Sequence, residues 1–221
     1  MRAARAGRVR WSEPDAARTV AYNVAARYAG LGIELALGLV MLPFNASRLG
    51  AADYGLWMLA ASVAAYFPLF DLGYAGAMER FVAYYRARRD SRAINEIAST
   101  LAVVFAAIGL IVLAASALVA WRFDRLFNVS PGQAASGPLV LLLVSLQFAL
   151  GLSFGVYGAV VTGFQRTFLN SAVSAVVSVT AAAVNVAVLA AGGDLVQLVA
   201  ALTAVRLSGY LAYRWTAHRV F

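Results

Sequence analysis

Few residues in this chain could do chemistry, and most of them lie inside long apolar runs. Glu34 and Arg206 stand within such runs, Asp71 closes another, and Asn185 and Gln147 interrupt two more. A charged side chain in hydrocarbon costs about 2.5–3.5 kcal/mol at a helix centre on insertion scales, so these positions are candidates for a substrate or ion pathway. At about 1.5 Å per residue, Glu34 sits roughly 10 Å inward of Arg27, and Arg206 roughly 12 Å inward of Arg214. Both are therefore expected at similar depth facing the bundle interior, either pairing with each other or lining a wet cavity, with Arg27 nearby. The competing reading is that each snorkels separately to the interface. Asp71, just before Gly73 and Gly76, either binds a cation at a mouth or hydrogen-bonds loosened backbone. Asn185 and Gln147 read first as interhelical hydrogen-bonding groups.

Other chemistry is scarce. His218 is the single histidine, and there is no cysteine. Disulfides, thiol catalysis and Cys-based metal sites are excluded, and a His-based metal site has nothing to assemble from. No D-x-D, H-E-x-x-H, G-x-S-x-G or Walker pattern occurs, and no span carries two carboxylates. The sequence predicts no enzyme, no metal and no cofactor.

The elements that must position these residues follow from composition. Of the 221 residues 62% are hydrophobic and only 13% charged, with a mean hydropathy of +0.77. Soluble domains carry about 25% charged residues, because a water-facing surface has to be built from them. Too little polar side chain is present to cover a globule, so lipid is the expected solvent.

The net charge of +8 comes from 18 basic residues, all arginine. They fall in the gaps between apolar runs rather than along one face, which is the pattern of topology signals and not of nucleic-acid binding. Residues 1–23 read as a basic cytoplasmic tail. Six spans follow at about 24–45, 54–78, 97–121, 138–163, 171–191 and 195–215, and residues 216–221 form the C-terminal end. The segment ERFVAYYRARRDSRAINE suits an interfacial helix, RFDRLFNVSPGQAASG a loop, and Pro138 the first turn of the fourth span. With the N-terminus inside, fourteen arginines are cytoplasmic and three (Arg48, Arg122, Arg125) external. That bias puts both termini in the cytoplasm. Gly151, Gly155 and Gly158 make a small-residue stripe for close helix packing on the fourth span. The fold class expected is all-α, a six-helix membrane bundle.

The stretch from Arg48 to Phe105 carries a family likeness. LGAADYGLW enters the second span, FDLGYAGAMERFVA leaves it, a basic Y-x-A-R-x-D turn follows, and N-E-x-x-S-T opens the third span. With TGFQRTFLN before the fifth span, these resemble the N-terminal half of Wzx-like oligosaccharide flippases, in the superfamily that includes multidrug/cation antiporters. The resemblance implies one six-helix lobe of a two-lobe exporter of lipid-linked oligosaccharide or polysaccharide precursors in the bacterial cytoplasmic membrane. It implies a lipid-linked glycan and membrane lipids as partners, and a second half-transporter or a homodimer mate to complete the cavity. A multidrug/cation antiporter and a non-transporting scaffold subunit of a glycan-assembly complex are the alternatives.

Overall fold

The computed structural model describes residues 13–66, 74–127 and 131–220. The chain is all-helical in them: α1 (Glu13–Ala64), α2 (Tyr74–Ala87), α3 (Ser91–Trp121), the single turn α4 (Phe123–Leu126), α5 (Pro131–Gly163), α6 (Thr167–Ala190) and α7 (Leu195–Val220). Among the described residues five stretches are long and apolar enough to cross a membrane: Val20–Val63, Ser91–Trp121, Gly132–Gly163, Thr167–Ala190 and Leu195–Arg219. This is a polytopic all-α membrane protein.

The number differs from the six expected because the first span and the start of the second lie in one helix, and α2, at 14 residues, is too short to cross. Val20–Val63 is 44 residues, about 66 Å along its axis, or twice the thickness of a bilayer core. It is broken at Gly50, whose φ of 73° and ψ of 169° leave the helical region. That positive φ is easy for glycine and costly for any residue with a Cβ.

Contacts on either side of the break show where the two arms go. The Asn23 carboxamide donates to the Gln165 carbonyl (3.1 Å) and accepts from the Phe168 N–H (3.2 Å), at the end where α5 stops and α6 starts. Gln133 Nε2 donates to the Ala52 carbonyl (2.7 Å), at the opposite end where α5 begins. Leu56 and Ala60 then pack with Phe123, Val140, Leu141, Leu195 and Val199. Met78 and Val82 of α2 return to the first end, against Val156 and Val160, with Arg86 over the Phe164 ring at 5.2 Å.

The second expected span, 54–78, is thus two helical pieces. The first ends at Ala64, after which the Tyr66 N–H turns back to the Val63 carbonyl at 3.2 Å. The supposed interfacial helix is also divided: α2 ends at Ala87, and a turn with Arg89 at φ 57° leads to α3. There the Asp90 carboxylate caps the Ala93 N–H at 3.0 Å.

Other boundaries shift outward. α5 begins at Pro131 and carries Pro138 inside it, so Pro131 holds the first-turn position. The expected loop at 122–137 contributes α4 and the first turns of α5. α7 runs on to Val220 rather than stopping near 215. Its start is a capping box: Asp194 Oδ1 accepts from the Gln197 N–H (2.7 Å), and Gln197 Oε1 from the Asp194 N–H (3.3 Å).

α5 is the central helix, packed by α3 and α2 on one side and by α7 on the other, while the first arm of α1 lies on α6. α1 has the smallest buried share of the five long helices. Leu35, Leu39 and Leu42 are 68%, 77% and 60% exposed, a face suited to hydrocarbon and not to water.

Candidate functional site

Three polar residues of α1 share a line. Asn23, Glu34 and Asn45 are spaced by 11 residues, three helical turns each time, so they point the same way. That face meets α6. Beyond the Asn23 contacts, Glu34 Oε1 accepts from the Ser174 hydroxyl at 2.8 Å, and the partners are 140 residues apart. α1 and α6 run parallel here; Asn45 lies further along the same face of α1, and Asn185 near the end of α6. Both are closed off from solvent, at 2% and 5% exposure. Each has a buried Oδ1 with no hydrogen-bond partner.

A second branch crosses to α7. The Tyr213 hydroxyl donates to the Asn170 carbonyl at 3.4 Å and stands close to Ser174, Glu34 and Tyr210. Tyr210 donates to the Gln147 carbonyl (2.9 Å), stacks on Phe154 with centroids 5.8 Å apart, and neighbours Arg206. Among the described residues Glu34 and Arg206 form no ion pair; Tyr213 and Tyr210 lie between them. Both are exposed at the edge of the bundle, with Glu34 held by α6 and Arg206 beside the α5–α7 seam.

Their depths also differ from expectation. Tyr213 is the α7 residue level with Ser174 and Glu34, so Arg206, seven residues earlier, lies about 10 Å further into the bundle. Arg214 does not mark the helix edge, since α7 continues past it to Val220. Arg27, two turns before Glu34 and exposed, is close enough to Glu79 of α2 for electrostatic attraction. Asp71 falls outside the described residues.

Gln147 is interhelical glue: its Nε2 donates to Thr203 Oγ1 at 2.6 Å. Asn185 is not bonded in this way. The glycine stripe divides as well. A Cβ on Gly151 would sit 2.8 Å from the Tyr210 hydroxyl, one on Gly158 would reach only Asn170 at 3.8 Å, and one on Gly155 would meet nothing within 4 Å. α3 and α5 approach closely at Gly109, where a Cβ would lie 2.8–3.0 Å from Ala149.

Sequence reasoning missed Asn23, Asn45, Ser174 and Tyr213. The 11-residue spacing of Asn23, Glu34 and Asn45 was a readable signal. Ser174 and Tyr213 had none, because each counts only through a partner on another helix. Among the described residues no group of three His, Cys, Asp and Glu side chains could hold a metal ion. The seam offers hydrogen bonds and one charge of each sign, the equipment for binding and guiding a polar or charged species beside lipid.

No family model matches the chain, and no solved structure does. Over 154 residues it is 25% identical to "Uncharacterized membrane protein EpsK" of Bacillus subtilis (strain 168); the match covers 70% of this chain and 30% of that protein. The chain spans less than a third of the length of that relative. The likeness agrees with a multi-pass membrane protein.

Proposed function

We propose that this chain is one lobe of an exporter that moves lipid-linked oligosaccharide or polysaccharide precursors across the bacterial cytoplasmic membrane. In this reading the main chain crosses six times, α1 folding back at Gly50 and the second crossing being split between the end of α1 and α2. Both termini lie in the cytoplasm, on the side of Arg27, Arg80, Arg86, Arg88, Arg89, Arg92, Arg166, Arg214 and Arg219.

The observation that carries the proposal is the polar seam of Glu34, Ser174, Tyr213, Tyr210 and Arg206 at the edge of a lobe whose first helix is barely covered. A scaffold subunit would be expected to have a dry seam. Here a carboxylate and a guanidinium are kept in the membrane region at a cost that binding can justify. The quoted likeness to Wzx-like flippases supplies the cargo class. The short coverage of the longer relative supports a second lobe, from further chain, a separate subunit or a second copy, that closes on the exposed face of α1.

The test is export of a labelled lipid-linked oligosaccharide from proteoliposomes, with the chain alone and with the remaining part of its transporter. Flipping that needs both parts and falls in Glu34→Ala and Arg206→Ala supports the reading. Equal flipping by empty liposomes or by both variants refutes it.

A further inference from the structure

A groove of about 380 Å³ runs between α2 and α3, on the far side of α5 from the Glu34 seam. Its size is in the range of small-molecule and cofactor sites. On α2 its wall is Tyr74, Ala77 and Phe81, and on α3 it is Leu101, Ile97 and Thr100. Two of the polar groups along it are already engaged: the Thr100 hydroxyl donates to the Glu96 carbonyl (2.7 Å), and the Glu96 carboxylate accepts from Arg92 Nε (2.8 Å). Apart from the Tyr74 hydroxyl, what remains for an occupant is apolar.

Both walls end in arginine. One turn beyond Phe81 stands Tyr84, with the Arg88 guanidinium over its ring at 4.2 Å. One turn beyond Glu96 stands Arg92, whose ion pair is 89% and 64% exposed and so only weakly held. Arg86, Arg88, Arg89 and Arg92 against Asp90 and Glu96 leave this turn net positive.

We propose that the α2–α3 groove is a binding site for an anionic phospholipid of the bilayer, one acyl chain lying between Phe81 and Ile97 and the phosphodiester held by Arg88 and Arg92. The groove lies beside the first turns of a membrane-spanning helix, where the available apolar occupant is a lipid chain. The net positive turn selects an anionic headgroup, since guanidinium groups bind phosphate oxygens in a bidentate fork and basic clusters between helices attract anionic lipids. The site does not rest on the export reading and stands on the opposite face of α5.

The test is native mass spectrometry of the purified chain equilibrated with equal amounts of phosphatidylglycerol and phosphatidylcholine. Phosphatidylglycerol should be retained at least fivefold over phosphatidylcholine. Arg88→Gln/Arg92→Gln, both on the surface, should abolish that preference, while Arg122→Gln/Arg125→Gln at the other end should leave it intact. Ala77→Phe, which fills the groove, should lower retention without loss of helicity. Equal retention of the two lipids, an unchanged preference in Arg88→Gln/Arg92→Gln, or displacement of phosphatidylglycerol by a polyprenyl phosphate would each overturn the assignment.

Discussion

The Ser174 hydroxyl donates to Glu34 Oε1 across 2.8 Å, joining the lone acid of the first apolar run to α6. A hydrogen bond to a charged group contributes about 1.5–3 kcal/mol when shielded and less at an exposed edge. Glu34 is exposed, so the pair is a modest anchor and the carboxylate stays available. Glu34→Gln should keep insertion and thermal stability nearly unchanged, yet lower export in a complementation assay by about tenfold or more, as losing a charge in a pathway does. Ser174→Ala should have a smaller effect of the same sign. Wild-type export in both variants would make the seam structural.

Orientation can be tested cleanly because the chain has no cysteine. Ser47 lies just before the Gly50 break, and Gln165 in the α5–α6 turn at the opposite end. On intact cells a membrane-impermeant maleimide should label Ser47→Cys and spare Gln165→Cys until the membrane is opened. The reverse pattern would invert the topology read from the arginines.

Close packing falls on one residue of the stripe, Gly151 against Tyr210, and on Gly109 outside it. A Cβ at Gly109 would lie 2.8 Å from the Ala149 carbonyl oxygen, and helix backbone cannot move aside as a side chain can. Gly109→Ala should destabilise by about 1–3 kcal/mol, the usual range for overpacking. Gly155→Ala meets open space and should be neutral or stabilise by up to about 1 kcal/mol through helix propensity. Thermal unfolding in detergent separates the two, and equal shifts would contradict the α3–α5 crossing.

Much of the fold was legible because hydrocarbon imposes long apolar runs, and α3, α5, α6 and α7 are such runs. The second crossing was not, because a hydropathy window sees a continuous apolar stretch through 54–78, whereas α1 ends at Ala64 and α2 begins at Tyr74. The site was half legible. Glu34 stood out as a charge among apolar residues, but its partners Ser174 and Tyr213 are ordinary residues until α6 and α7 bring them together. The similar depth expected for Glu34 and Arg206 failed because flanking arginines do not mark helix ends, and α7 continues to Val220.

Asn185 and Gln147 looked alike in sequence and differ in structure, which gives opposite predictions for the same kind of substitution. Gln147 donates to Thr203 Oγ1 at 2.6 Å. Gln147→Leu removes that interhelical bond and should lower stability by about 0.5–1.5 kcal/mol, or about 1–6 °C in Tm for a chain of this size. Asn185 is 5% exposed and its Oδ1 has no partner, so the folded state carries an uncompensated polar group costing about 1–3 kcal/mol. Asn185→Leu replaces it with an apolar side chain of similar size and should raise Tm. If the orphaned Asn185 carboxamide serves a polar species during transport, the same variant should lose export while gaining stability. A fall in Tm for Asn185→Leu matching that of Gln147→Leu would mean that Asn185 has a bonded partner and that the orphan reading is wrong.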